Sequence, residues 1–156
     1  MGRLFFAMIR GRKEASVFLD GDILREVFAN DLGHSREERF KSAMRNSRLC
    51  KMLSDQGIDV VCATISLFRE CQDWNRANIP GYREIYLRVP MSVLVERDQK
   101  QLYSRAMRGE ASDVMGVDLP IDEPSAPDLV VENDGDRPPE SIARTIFEKF
   151  EQDQST

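Results

Sequence analysis

The chain has 156 residues, 22 Lys plus Arg against 27 Asp plus Glu, and a hydrophobic fraction of 41%. That length fits a single domain spanning 1–156, with enough apolar content for a core. The mild acidity argues against a general nucleic-acid binder but not against a small anionic ligand, and no apolar run approaches the ~20 residues that cross a bilayer.

Leu4 to Ile9 is a short apolar patch with no small-residue cleavage site after it, so it reads as a core segment rather than a signal peptide. Val17-Phe18-Leu19 is a buried strand that stops in the turn Asp20-Gly21-Asp22. Residues 23–30 have helical spacing. Asp31-Leu32-Gly33-His34 is a loop, and Ser35 with Glu38 forms a capping-box pattern that opens a helix running to about Gln56, with Gly57 as its stop. Val60 to Ile65 is continuously apolar, which suits a parallel strand covered on both faces. A helix follows over 69–78 and ends at Pro80-Gly81. A third strand covers 85–89, and a helix begins near Ser92. The stretch 100–127 is polar and carries Gly109, Gly116 and three prolines, which predicts a helix tail leading into a lid. Leu129-Val130-Val131 is a fourth strand, and Pro138 precedes a final helix over 139–151.

This alternation predicts an α/β fold: a parallel sheet with helices on both faces. Ligands in such sheets bind beyond the C-terminal ends of the strands. The rule selects Asp20 to Arg25, Ser66 to Arg69 and the 100–127 segment. The three cysteines, Cys50, Cys62 and Cys71, show no C-x-x-C spacing and read as reduced thiols of a cytoplasmic protein. One histidine and three scattered cysteines make no zinc site, so no metal ligands are assigned.

Asp20 and Asp22 put two carboxylates at a strand end. One could take a proton from an attacking hydroxyl and the other could hold magnesium, both of which phosphoryl transfer requires. The competing reading makes Asp20 a helix cap. Arg25, Arg36, Arg39, Arg45 and Arg48 bring guanidinium forks suited to phosphate or sulfate, or else form an ordinary charged helix face. Ser66 is either a phosphate contact or the cap of the next helix. Lys100, with Arg97, Arg105 and Arg108, could bring positive charge over a nucleotide.

Taken in order, these pieces resemble the adenylylsulfate kinase family, which moves the ATP γ-phosphate to the ribose 3′-hydroxyl of adenylylsulfate. The matching residues are Leu19-Asp20-Gly21-Asp22 with Arg25; Asp31-Leu32-Gly33, then Ser35 and Arg39; Ile65-Ser66 with Arg69; Glu96-Arg97-Asp98, Lys100, Leu102-Tyr103 and Ala106; Gly116-Val117-Asp118; and Glu123-Pro124 with Pro127-Asp128-Leu129. The resemblance implies a P-loop kinase-like fold, ATP and Mg2+ as cofactors, a small nucleotide as substrate, no nucleic-acid or membrane partner, and leaves a homodimer open. It gives the catalytic carboxylate to the Asp20/Asp22 pair and the acceptor contacts to Arg25, Arg39 and Ile65. Ser66 matches the family's phosphoserine position, and Lys100 belongs to the closing lid.

The chain also departs from the family. His34 stands where the family has a Phe that stacks the adenine, Ser42 where it has Asn, and Val114 where the lid has an aromatic. These three changes in the acceptor pocket motivate a second expectation, a kinase of a different nucleotide 3′-hydroxyl. The chain has nine glycines and not one Gly-Lys dipeptide, so the G-x-x-x-x-G-K-[ST] phosphate loop is not within it. Leu4 to Arg12 aligns with the end of the helix that follows that loop. The strand before the loop would be central in the sheet, so its two neighbours are expected to lack ladder partners. Little kinase activity is expected from these 156 residues alone, and a non-catalytic remnant is the third reading.

Overall fold

The computed structural model describes residues 1–12, 15–98, 101–110, 114, 117 and 119–154. The element order is α1 (Gly2–Arg10), β1 (Ser16–Asp20), α2 (Gly21–Val27), α3 (Arg36–Ser54), β2 (Asp59–Ala63), α4 (Arg69–Asn78), β3 (Ile85–Arg88), α5 (Met91–Arg97), α6 (Leu102–Met107), β4 (Leu129–Glu132) and α7 (Pro139–Gln154).

The strands are parallel, as the strand–helix alternation requires, but they form two pairs. β1 pairs with β2, from Ser16 opposite Asp59 to Asp20 opposite Ala63. β3 pairs with β4, from Ile85 opposite Leu129 to Arg88 opposite Glu132. Among the described residues no ladder joins one pair to the other. The single sheet expected from the sequence is therefore divided.

Helices hold the two halves together. On one side α1 packs against β1, with the Phe6 and Phe18 ring centroids 5.7 Å apart and the Arg3 guanidinium 5.2 Å from the Phe18 ring. On the other side Met1 and Phe5 pack against the cluster of Val131, Ile142 and Ile146, which β4 and α7 supply. The N-terminal apolar patch is thus a helix bridging two cores, and none of its residues is fully buried. A second core lies between α3 and α4, where Phe40, Ala43 and Met44 surround Phe68 and Cys71.

Boundaries shift for local reasons. The helix expected over 23–30 ends at Val27, because Ala29 and Asn30 turn to positive φ (57° and 51°) and break the helical path. The α3 helix ends at Ser54, and Gly57 at φ 79° carries the chain out, the conformation glycine adopts without steric cost. β2 stops at Ala63, two residues before the predicted end, which leaves 64–68 without regular structure. In the 100–127 segment, the described residues 120–127 carry no helix or strand. The segment is anchored at both ends: Asp98 accepts from the amides of Tyr103 (2.9 Å) and Ser104 (3.2 Å), and Gln72 donates to the Asp122 carbonyl (3.1 Å).

Ile142 has no exposed surface and sits in the core that α1 shares with α7. Ile142→Ala should cost about 2–5 kcal/mol of unfolding free energy. Urea denaturation measures it, and a loss under 1 kcal/mol would mean this cluster does not carry the fold.

Candidate functional site

The rim at the C-terminal ends of β1 and β2 is built by register. Because Asp20 lies opposite Ala63, the turn that follows β1 meets the segment that follows β2. The contact is close. A Cβ on Gly21 would lie 3.1 Å from Thr64 Cγ2 and 3.4 Å from the Ala63 carbonyl, so only glycine fits without displacement. Beyond it the Thr64 and Ser66 hydroxyls are hydrogen-bonded at 2.9 Å.

Asp20 is engaged on both oxygens. Its Oδ1 accepts from the Asp22 amide (3.0 Å), making Asp20 the N-cap of α2, and its Oδ2 pairs with Arg3 of α1 (3.3 Å). The helix-cap reading of Asp20 thus holds in the structure. Asp22 lies in the first turn of α2, exposed at the rim. Ser66 does not cap α4: Phe68 takes that place without a side-chain bond, and Ser66 remains half-buried beside Thr64.

Arg25 and Arg39 shape the 31–35 loop through its carbonyls. Arg25 Nη2 donates to the carbonyls of Leu32 and Gly33, both at 2.7 Å, and Arg39 Nε donates to that of His34 at 2.8 Å. The Glu38 carboxylate braces the same loop from the other side, accepting from the Gly33 amide (2.9 Å), the Ser35 amide (3.2 Å) and the Ser35 hydroxyl. With the Ser35 hydroxyl accepting from the Glu38 amide, the predicted capping box is complete. The Ser35 hydroxyl bond, then the Gly33 and Ser35 amides, hold the Glu38 carboxyl below the ordinary Glu range. Arg45 grips Asp31 with two bonds of 2.9 Å, and that contact keeps Asp31 low as well. His34 is thereby displayed, exposed, at the tip of a loop whose backbone is held by three side chains.

Asp122, in the stretch before β4, reaches this rim. Its carboxylate meets Arg36 (3.5 Å) and the Arg69 amide (3.4 Å), and its own amide donates to the Leu67 carbonyl (3.1 Å). A shallow depression of about 360 Å³ lies alongside, lined by Arg36, Glu37, Phe40 and Glu70. Another, of about 330 Å³, lies over Arg76 to Arg83.

The expected site residues therefore have the following positions. Asp20, Asp22, Arg25, His34, Arg39 and Ser66 belong to three adjoining segments at one end of the β1–β2 pair. Ile65 stands beside Ser66 with 71% of its surface exposed, and Ser42 lies half-buried on α3. Val114 is 1% exposed and packed inside. Lys100 lies outside the described residues. Sequence reasoning missed Arg3, Thr64 and Asp122. Arg3 carried no signal because its target is 17 residues away, and Asp122 was hidden in a stretch without periodicity.

Three comparisons bear on this arrangement. The adenylylsulphate kinase family model matches residues 5–132. Over 133 residues the chain is 38% identical to a cytidine diphosphoramidate kinase of Campylobacter jejuni, covering 85% of this chain and 77% of the relative. Over 128 residues it is 35% identical to an adenylyl-sulfate kinase of Halothermothrix orenii, covering 82% and 69%. The structure superimposes on the Mycobacterium tuberculosis APS kinase solved with AMPPNP and APS at a TM-score of 0.83 and 29% identity, covering 96% of this chain and 88% of that one. Among the described residues no helix is long and apolar enough to cross a membrane.

Because the Glu38 carboxyl lies below its ordinary value when folded, its bracing is full above that value and is lost as pH falls through the folded one. Glu38→Ala should speed amide hydrogen exchange at Gly33 and Ser35 at neutral pH. Unchanged exchange at both amides would mean the loop is held without it.

Proposed function

The chain belongs to the adenylylsulphate kinase family, a family of phosphotransferases, and from that membership we propose that it acts on the ribose 3′-hydroxyl of a nucleotide, with ATP as the phosphoryl donor. Adenylylsulfate is the first acceptor to consider, which would make the reaction a step of sulfate activation. The observation that carries the reading is the shared rim: the Asp20-Gly21-Asp22 turn, the braced 31–35 loop and the Thr64–Ser66 segment adjoin at the strand ends.

In this reading Asp22 takes the proton from the attacking hydroxyl, since Asp20 is committed to capping α2 and to Arg3. Arg25 and Arg39 fix the loop that presents His34 to the base, while the exposed Ile65 offers apolar surface to the nucleoside. Magnesium in kinase sites keeps several waters and takes one or two carboxylates plus substrate phosphates. Asp20 is engaged by the α2 cap and by Arg3, so of the two rim carboxylates Asp22 is the one that could hold such an ion, through water, beside its role as base. Magnesium supplies charge neutralisation at the phosphates; positioning the acceptor falls to the residues named above. The phosphate loop is not among these 156 residues. Most ATP affinity and transition-state positioning would come from that loop. The chain alone is therefore expected to bind acceptor better than ATP and to transfer phosphate poorly.

A second reading changes the acceptor. His34 replaces the stacking Phe, Ser42 replaces Asn and Val114 replaces an aromatic. The relative at 38% identity is named for a cytidine nucleotide rather than an adenine one. A smaller pyrimidine base suits a pocket that has lost aromatic surface.

Two measurements test these proposals. Calorimetry of the 156-residue chain with adenylylsulfate, cytidine diphosphoramidate and ATP should give binding to one acceptor and none to ATP in the micromolar range. Micromolar ATP binding would overturn the account of the loop. In a chain joined to a strand and phosphate loop, Asp22→Asn should lower kcat about 10²–10⁴-fold. An unchanged kcat would take the base role away from Asp22.

A further inference from the structure

The start of α4 is capped from a distance. Phe68 is its N-cap residue and has no side-chain oxygen to offer the first-turn amides, which lack partners within the helix. The carboxylate that meets one of them belongs to Asp122, 53 residues away. Its Oδ2 accepts from the Arg69 amide at 3.4 Å, and the same oxygen accepts from Arg36 Nη2 at 3.5 Å. Two further bonds run through the Asp122 backbone: its amide donates to the Leu67 carbonyl, and its carbonyl accepts from Gln72, both at 3.1 Å. Arg36 is the first residue of α3, directly after the Ser35 cap that closes the braced loop, and its guanidinium lies 5.4 Å from the centre of the Phe68 ring. Asp122 therefore touches both the α3 start and the 67–72 stretch, and belongs to neither.

Residues 64–68 need such a hold. They lie past the end of the β1–β2 ladder and before α4 begins. Two of their bonds are local: the Thr64 and Ser66 hydroxyls bond each other, and the Phe68 amide donates to the Ser66 carbonyl at 3.0 Å. The Phe68 ring, with no exposed surface, anchors one end in the core between α3 and α4. Ile65, nearer the other end, stands largely exposed, so packing does little to place it.

We propose that Asp122 is a positioning residue for the acceptor nucleotide: by joining Arg36 to the 67–69 corner, it fixes the spacing between the 31–35 loop and the segment that displays Ile65 and Ser66. The inference rests on the reading of the rim as the acceptor seat. A carboxylate suits the task because it answers a guanidinium on one side and a helix N-terminal amide on the other, and both favour negative charge. A pair this exposed adds little to global stability. Its effect is to shape the seat before the ligand arrives, which leaves less ordering to the binding step. Arg76 ties the same stretch elsewhere, through the Ala126 carbonyl (2.9 Å) and Asp128 (3.4 Å), and with Glu84 these partners lie outside the rim.

Calorimetry of the 156-residue chain with adenylylsulfate and cytidine diphosphoramidate, alongside urea unfolding, tests the assignment. Asp122→Ala keeps both backbone bonds and should unfold at nearly the same urea concentration. It should nevertheless bind the acceptor about 2–5-fold more weakly, the range that an exposed pair supports. Arg36→Ala should weaken binding similarly, and the double variant no further than Arg36→Ala alone, because the two residues act through one contact. Arg76→Ala should lower the unfolding midpoint and leave acceptor affinity unchanged. An Asp122→Ala affinity equal to that of the unmutated chain, additive losses in the double variant, or an equal loss from Arg76→Ala would each overturn the role of Asp122 and leave the acceptor seat standing. Binding of neither nucleotide by the unmutated chain would instead overturn the rim reading, and the role of Asp122 with it. If Asp122→Ala folds poorly, Asp122→Asn, which keeps the shape and removes the charge, is judged by the same outcomes.

Discussion

The parallel register of β1 against β2 is the constraint on which the rest of the molecule turns. With Asp20 opposite Ala63, both strands end level, so the carboxylate turn and the Thr64–Ser66 segment have to meet. The glycine between the two aspartates suits that close approach, because a Cβ there would lie 3.1 Å from Thr64 Cγ2 and require it to shift. A slip of one residue would turn Leu19 outward and separate the two segments. The site depends on register before it depends on any single catalytic group.

Around this rim the charged residues serve architecture first. Arg25, Arg39 and Glu38 spend their hydrogen bonds on the backbone of the 31–35 loop, and Arg45 holds Asp31. Exposed ion pairs contribute little to stability individually, but here they converge on one short loop and fix its path. A loop shaped before ligand arrives loses less entropy when it binds. The same economy explains α1, whose aromatic residues touch β1 on one side and the β4–α7 core on the other, joining two strand pairs that share no ladder among the described residues.

Most of the secondary structure was legible because its signals are local. The Ser35–Glu38 capping box, the α4 span over 69–78 and the apolar strands all appear where pattern and end signals agree. The α2 end was not legible, since Ala29 and Asn30 at positive φ carry no strong residue signal. The order of residues along the rim was also readable, but their partners were not. Arg3 reaching Asp20 and Asp122 reaching Arg36 are contacts across 17 and 86 residues, set by packing that no short pattern encodes. Arg25 and Arg39, read from the sequence as acceptor contacts, also donate to the carbonyls of the 31–35 loop, a bond that no short pattern announces.

The account's central claim is that the acceptor nucleotide seats at the β1–β2 rim. Amide chemical-shift mapping of the chain during titration with adenylylsulfate or cytidine diphosphoramidate tests it directly. The account predicts saturable shifts confined to residues 20–25, 32–39 and 64–69. Shifts centred instead on the Arg76 to Arg83 depression, or spread without saturation, would contradict it.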